Sequence, residues 1–204
     1  MYRVAIADDH PLFRSALNGA LQELTDTCDV LEAENLDQAI SLIEQQDIDL
    51  LLLDLKMPGN DGLMGLMRVR AEFPHLAVVV VSASEDAGTI HQIKSLGASG
   101  FIPKSSSIET ITNGIASVFA GNVVFPDVMI VEVNETAEKL KLLTPKQFRV
   151  LQLIAQGALN KQIGYMLDIK ETTVKSHISD IFKKLGINNR TQAALIIQEM
   201  SLVD

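Results

Sequence analysis

Several features are scarce or missing in this sequence, and each absence narrows what the protein can be. There is a single cysteine, Cys28, so no disulfide can form within the chain. The longest apolar runs, such as the one around Leu76–Val81, reach only about eight residues, whereas a membrane-spanning helix needs about 20. The chain reaches the acidic pair Asp8 and Asp9 at once, with no signal-peptide core before it. We therefore expect a cytoplasmic protein without a membrane partner.

Basic residues are scarce in the first part of the chain and concentrated in the last. Residues 1–121 contain 7 Lys and Arg against 17 Asp and Glu, a net charge of −10 in a chain whose total is −9. Residues 139–190 contain 10 Lys and Arg against 3 Asp and Glu, a net charge of +7. This asymmetry predicts two domains. For the second domain, two interpretations stay open: a surface that binds a polyanion, or ordinary surface charge without a binding role.

Short apolar runs alternate with helical patterns over residues 1–121. Runs at 2–7, 28–33, 49–54, 77–82 and 100–103 predict buried strands, and amphipathic stretches lie between them. Five such repeats predict an α/β fold, a doubly wound parallel sheet of five strands with helices on both faces. In such folds the working site lies at the carboxyl ends of the strands. Five polar residues fall at or just past these ends: Asp8, Asp9, Asp54, Ser82 and Lys104.

The rest of the chain reads as a linker followed by helices. Residues 122–142 lack a clear period and predict a linker with some helix. Residues 143–204 predict a small all-α domain of four helices, which begin near Thr144, Asn160, Glu171 and Thr191. Thr144 and Gln147 predict a capping box, and Asn160 is the predicted cap of the second helix. Two helices joined by a tight turn, the second with a basic face, predict a helix-turn-helix.

Four separated motifs surround the predicted strand ends. They are Val4–Pro11, Leu53–Gly59, Val79–Ala83 and Phe101–Lys104. In this order and spacing they resemble the receiver domain of bacterial two-component response regulators, and the resemblance covers residues 1–121. It implies a domain that accepts a phosphoryl group from a sensor histidine kinase.

The resemblance implies a metal-assisted nucleophile at the end of the leucine-rich strand. Asp54 would form an acyl phosphate. Asp9, Asp54 and the backbone carbonyl of Lys56 would hold Mg²⁺ as cofactor, and Asp8 would act through water. A carboxylate in so apolar a place must be paired, bind a metal or stay neutral, which favours this role on physical grounds as well. His10 is expected to begin the first helix and to do no chemistry.

The remaining receiver residues would complete the charge balance and the switch. Lys104 would pair with a phosphoryl oxygen as a point charge. The Ser82 hydroxyl would turn toward the phosphoryl group, and the Phe101 ring would move inward behind it. Taken singly, each of these residues is commoner as a turn, core or surface residue, so the prediction depends on their combination. Ser105 follows Lys104 where many receivers have proline, which predicts altered geometry in that loop.

The basic part of the chain carries its own group of motifs. They are Leu143–Gln147, Asn160–Ile163, Thr172–His177, Lys183–Gly186 and Asn189–Ala193. They resemble the LuxR-type helix-turn-helix, and its combination with a receiver is identified with the NarL/FixJ family. Lys170, at a helix cap position, and Gly164, where the family usually has alanine, depart from the pattern. Both predict a less rigid turn.

The second resemblance implies contacts with double-stranded promoter DNA. Three residues would meet base edges: Lys175, Ser176 and Ser179. Six would mostly contact phosphates: Asn160, Lys161, Thr172, Thr173, Lys183 and Arg190. The expected partners also include a second copy of the chain after activation, and RNA polymerase. The function expected is a phosphorylation-switched transcription factor that catalyses only its own phosphorylation and dephosphorylation, and is not otherwise an enzyme.

Two rival functions stay open on the sequence. An aspartyl-phosphate phosphatase would have a second acid two residues after its nucleophile, where this chain has Lys56. A constitutive DNA-binding protein would use the receiver only to dock partners. The kinase, the operator, the regulated genes and the dimerising face of the receiver do not follow from the sequence.

Overall fold

The chain divides between residues 133 and 134 into two compact units. The computed structural model describes residues 2–24, 28–126 and 135–201. Within these ranges no helix is both long and apolar enough to cross a membrane.

The first unit is built on a parallel sheet. Its strands and an additional hairpin are β1 (Tyr2–Ala7), β2 (Cys28–Ala33), β3 (Leu50–Asp54), β4 (Lys56–Met57), β5 (Asn60–Asp61), β6 (Ala77–Ser82) and β7 (Gly100–Pro103). The sheet has the order β2-β1-β3-β6-β7 with all neighbours parallel, while β4 and β5 form a separate antiparallel pair. The predicted five-stranded α/β fold is confirmed, whereas the β4–β5 hairpin was not predicted.

Five helices cover the sheet. They are α1 (Pro11–Leu24), α2 (Leu36–Gln45), α3 (Met64–Glu72), α4 (Ala87–Ser95) and α5 (Ile108–Phe119). Ile6 and Leu52 pack with residues of α1 and α5 in one core, and the alternate residues Ala5 and Leu53 are buried as well. Since successive residues of a strand point to opposite faces, both faces of the sheet are covered. In the central strand β3 the polar side chain is therefore confined to the end, at Asp54.

The chain after α5 returns to the edge of the sheet beside β7. Phe101 N donates to Val124 O at 2.7 Å, and Val124 N donates to Ser99 O at 3.0 Å. A Cβ at Gly100 would lie 2.9 Å from Val124 O, so this close approach requires glycine. The first residues of the predicted linker therefore extend the receiver sheet.

The second unit is helical. Its helices are α6 (Glu135–Leu140), α7 (Pro145–Ala155), α8 (Asn160–Met166), α9 (Glu171–Leu185) and α10 (Arg190–Ser201). The capping box of Thr144 and Gln147 begins α7 as predicted. Buried Leu151, Ile163 and Val174 come from α7, α8 and α9. The short α6 lies in the stretch that the sequence presented as a linker with some helix.

The start of α8 and the turn from α8 to α9 can be compared with the expected caps and glycine. Leu159, not Asn160, holds the cap position of α8, and the Gln162 side chain accepts a hydrogen bond from Leu159 N at 2.7 Å. A Cβ at Gly164 would lie 2.8 Å from Ile169 O. Gly164 is therefore explained by close packing of the turn, and the less rigid turn expected from the glycine stays a prediction. Lys170 does hold the cap position of α9 without a side-chain cap, as expected.

Candidate functional site

Asp54 lies at the end of β3, between β1 and β6, and is only 3% exposed. Its two carboxylate oxygens have different partners. Lys56 N donates to Oδ1 at 3.1 Å, and Lys104 Nζ donates to Oδ2 at 2.8 Å. Burial raises the pKa of Asp54 and outweighs the opposing effect of Lys104. A positively charged ligand beside this carboxylate would lower its pKa again and favour the ionised form.

Lys104 bridges two buried carboxylates. Its Nζ lies 2.6 Å from Asp8 Oδ2 as well as 2.8 Å from Asp54 Oδ2, and its side chain is 16% exposed. Lys104 N also donates to Ser82 O at 2.8 Å, which fixes the start of the loop after β7. Burial lowers the pKa of Lys104, but the hydrogen bonds with Asp54 and Asp8 more than compensate and the pKa is raised. We call Asp8, Asp9, Asp54 and Lys104 the acidic edge.

The acidic edge offers a set of oxygen donors suited to a hard cation. One ligand atom from each of Asp8, Asp9, His10 and Asp54 lies within 4.8 Å of the others. Carboxylate oxygens, a backbone carbonyl such as that of Lys56, and water are the ligands that Mg²⁺ prefers. His10 Nδ1 lies 2.8 Å from Asp9 Oδ1, closer to the chemistry than the sequence suggested. The residues present fit a magnesium ion.

Arg14, a buried arginine of α1, forms a hydrogen bond with the backbone of the acidic edge. Arg14 Nη1 donates to Asp8 O at 2.8 Å, while its Nε bonds Glu32 at 2.8 Å and its Nη2 bonds Glu34 at 3.0 Å. The guanidinium thereby ties the end of β1 to the end of β2. Sequence reasoning missed this residue because an arginine on an amphipathic helix is ordinarily a surface residue.

The two predicted switch residues are both buried. Ser82 ends β6, one residue beyond the Val81 that pairs with Asp54, and its Oγ accepts a hydrogen bond from Ser84 N at 3.1 Å. Phe101 lies in the adjacent strand β7, paired with Val80, and its ring is already enclosed. Ser105 Oγ, in the loop expected to depart from the common pattern, donates to Glu85 Oε1 at 2.6 Å.

An open cleft gives access to the acidic edge. Its volume is about 450 Å³, and its lining residues are His10, Leu12, Phe13, Asp54, Lys56, Ala83 and Lys104. Lys104 Nζ also stands 4.9 Å from the centre of the Phe13 ring. A ligand that enters this cleft meets the Asp54 carboxylate and the two lysines of the lining, Lys56 and Lys104.

The second candidate site is the polar side of α9, which we call the recognition face. It comprises Thr172, Lys175, Ser176, Ser179 and Lys183, all of them exposed. Val174, Ile181 and Leu185 of the same helix are buried and hold it against the domain. Thr173 is half-buried. An exposed polar helix of this width fits a DNA major groove.

Two of the residues expected to contact DNA already have partners within the domain. Lys175 Nζ pairs with Glu171 Oε1 at 3.0 Å, one turn earlier on α9. Arg190 Nη1 donates to Asn160 Oδ1 at 2.9 Å, and its Nη2 bonds Ala158 O. The guanidinium of Arg190 thus joins α10 to the start of α8, a structural role that the sequence did not indicate. Lys161 is exposed on α8 next to Asn160.

Comparison with protein families gives two matches that together span most of the chain. Residues 4–116 match the response regulator receiver domain, and residues 141–197 match the bacterial regulatory proteins of the luxR family. The first contains the acidic edge and the second contains the recognition face.

Curated relatives and solved structures match over nearly the whole length. The glycerol metabolism activator of Pseudomonas putida is 44% identical over 208 residues, which cover 96% of this chain and 94% of that protein. The nitrate/nitrite response regulator NarL of Escherichia coli K12 is 33% identical over 204 residues, with the same coverage. A structure of two RcsB dimers bound to two parallel DNAs is 26% identical, with a TM-score of 0.57, and covers 97% of this chain and 98% of its own.

Proposed function

The chain belongs to the two-component response regulators of the NarL/FixJ family, and from that premise we propose that it is a transcription regulator whose DNA binding is switched by phosphorylation of Asp54. One observation carries the proposal. A buried carboxylate at a strand end faces an open cleft, with a bridging ammonium group and further acidic donors around it. Buried charges in such an arrangement are characteristic of functional sites.

In the proposed reaction, an Asp54 oxygen attacks the phosphorus of a phosphohistidine on the sensor kinase. The phosphorus–nitrogen bond breaks, an acyl phosphate forms, and the leaving imidazole regains a proton. Asp9, Asp54 and the Lys56 carbonyl would hold Mg²⁺, with Asp8 acting through water, and the ion would neutralise charge on the transferred group. Lys104 would transfer its contact from the carboxylates to a phosphoryl oxygen.

The switch would act through the neighbouring strands β6 and β7. Ser82 Oγ would leave its contact with Ser84 N to donate to the phosphoryl group. Because the Phe101 ring is already buried, it would repack within the core and would not move in from solvent. Moving such an equilibrium from 1:99 to 99:1 needs about 5.5 kcal/mol, so we expect homodimerisation to contribute.

The recognition face would read the promoter. Lys175, Ser176 and Ser179 would meet base edges in the major groove. The phosphate contacts would come from Asn160, Lys161, Thr172, Thr173, Lys183 and Arg190. Arg190 has N–H groups beyond the two that bond Asn160 and Ala158, so it would orient Asn160 and still reach a phosphate. Bound as a dimer, the protein would contact RNA polymerase through surfaces that face away from the DNA, in the cytoplasm, where promoter DNA lies.

The test compares two aspartates that flank the same strand. Wild type, Asp54→Asn and Asp49→Asn proteins are incubated with acetyl phosphate, with Mg²⁺ or with EDTA, and weighed by intact-mass spectrometry. We expect one added phosphoryl group in wild type and Asp49→Asn with Mg²⁺, and none in Asp54→Asn or with EDTA. A wild-type protein that never gains the group rejects the proposal.

The second half of the test concerns DNA. A duplex selected from a random library by the phosphorylated protein serves as the probe, and its affinity is measured before and after phosphorylation. We expect tighter binding after phosphorylation. Equal affinity in both states would instead support a constitutive DNA-binding protein whose receiver only docks partners.

A further inference from the structure

Asn60 is a buried polar residue next to the acidic edge for which the proposed chemistry has no use. It begins β5, opposite Met57 of β4, and is only 3% exposed. Its Nδ2 donates to the backbone carbonyl of Asp54 at 2.6 Å, and its Oδ1 accepts from Gly65 N at 2.8 Å. The amide therefore connects the nucleophile's own peptide group to the first turn of α3.

The hydrogen bond from Asn60 to the Asp54 carbonyl constrains the path of the backbone after β3. Because a peptide group is planar, fixing the Asp54 carbonyl fixes the plane that it shares with Leu55 N. Lys56 follows directly, and its N–H donates to Asp54 Oδ1 while its carbonyl is a proposed metal ligand. A displacement of this peptide plane would move both the nucleophile's hydrogen bond and one Mg²⁺ ligand.

Gly65 shows that the helix makes room for this amide. A Cβ added at Gly65 would lie 2.1 Å from Asn60 Oδ1 and 2.4 Å from Asn60 Cγ, too close for any real contact. Gly65 is in α3, where alanine would be the better helix former. The glycine is thus explained by the space that Asn60 occupies, and the two residues form a matched pair.

We propose that Asn60 is a positioning residue, which holds the Asp54–Leu55–Lys56 segment in the geometry that binds Mg²⁺ and accepts the phosphoryl group. The inference rests on the proposed function, since it assigns Asn60 a part in that same site. Residues that orient metal ligands typically contribute about 10- to 100-fold to metal affinity. Asn60 acts in this way through the backbone, without touching the metal or the substrate.

The experiment uses the full chain with Asn60→Ala, Gly65→Ala and the double variant. Gly65→Ala forces the amide out of place, and Asn60→Ala removes it. In the double variant the new methyl group at position 65 occupies vacated space, so stability should recover while the hydrogen bond to Asp54 O remains absent. Calorimetry measures the Mg²⁺ affinity, and urea unfolding measures the stability. The rate of Asp54 phosphorylation is measured with acetyl phosphate as the donor.

We expect all three variants to bind Mg²⁺ about 10-fold more weakly than wild type or worse, and to be phosphorylated more slowly. In the metal-free protein, the Lys56 amide should exchange its hydrogen faster. Arg70→Met is the matched control, because Arg70 holds the carbonyls of Pro74 and Leu76 just before β6, at the opposite end of the sheet. It should lose stability and keep wild-type Mg²⁺ affinity.

Two outcomes overturn the inference. One is an Asn60→Ala or Gly65→Ala protein whose Mg²⁺ affinity is within twofold of wild type. The other is a double variant whose affinity recovers together with its stability, because the amide would then only fill space. If wild type itself neither binds Mg²⁺ nor gains a phosphoryl group, the proposed function fails, and that result is distinct from both.

Discussion

The two units of the chain place their functional charges in opposite environments. At the acidic edge, Asp8 and Asp54 are 1% and 3% exposed, and Lys104 is held between them. On the recognition face, the side chain of Lys175 is 61% exposed and pairs with Glu171, whose side chain is 48% exposed. Buried charges interact strongly and must be compensated, whereas exposed charges interact weakly until a partner removes the water. The charges of the acidic edge therefore affect the stability of their domain, whereas the charges of the recognition face are available to bind DNA.

Replacing one lysine by methionine in each unit compares the buried charge with the exposed charge directly and should give the largest effect. Lys104→Met leaves two buried carboxylates without their counter-charge, so the free energy of unfolding should fall by about 3–5 kcal/mol. Lys175→Met should change it by no more than about 0.5 kcal/mol. Urea unfolding without divalent cations measures both. Similar losses in the two variants would contradict the contrast.

Magnesium should stabilise only the unit with buried acids. At a concentration 100 times the dissociation constant, Mg²⁺ should raise the free energy of unfolding by about 2.7 kcal/mol. Asp9→Asn should remove most of this increase, and Asp49→Asn, at the far end of β3, should preserve it. Thermal unfolding against Mg²⁺ concentration is the measurement. An increase of the same size in Asp9→Asn would show that the ion binds elsewhere.

The contrast also explains which parts of the molecule are predictable from sequence. Buried strands follow from apolar runs, and parallel strands bring their ends to one edge, so Asp54 and Lys104 could be predicted to meet. Asn60 and Arg14 could not, because their roles depend on backbone carbonyls whose direction is set by the folded loops. In the helical unit the period predicts α9 and its polar side. It does not reveal that Arg190 bonds Asn160, since helical periodicity does not specify how the start of α10 lies against the start of α8.

The recognition face should lose DNA affinity without losing stability. Lys175→Ala with Ser179→Ala removes two predicted base contacts, each worth about 1–3 kcal/mol of discrimination. Binding to the selected duplex should weaken at least 10-fold, with little change for unrelated DNA beyond the lost charge. Lys146→Ala, an exposed lysine of α7, is the control for charge alone. Unchanged binding of the double variant would reject the assignment of α9 as the recognition helix.

The smallest expected effect concerns the ion pair that occupies Lys175 before DNA arrives. Glu171→Gln frees Lys175 and removes a negative charge near the phosphates, so affinity for DNA should rise about threefold, a gain in line with a surface ion pair. A double-mutant cycle with Lys175→Met separates these two causes, because only the release of Lys175 depends on the lysine. If the ion pair competes with DNA, most of the gain disappears in the Lys175→Met background. A gain that persists there would assign the effect to general repulsion between Glu171 and DNA. The ion pair with Glu171 would then not hinder the binding of Lys175 to DNA.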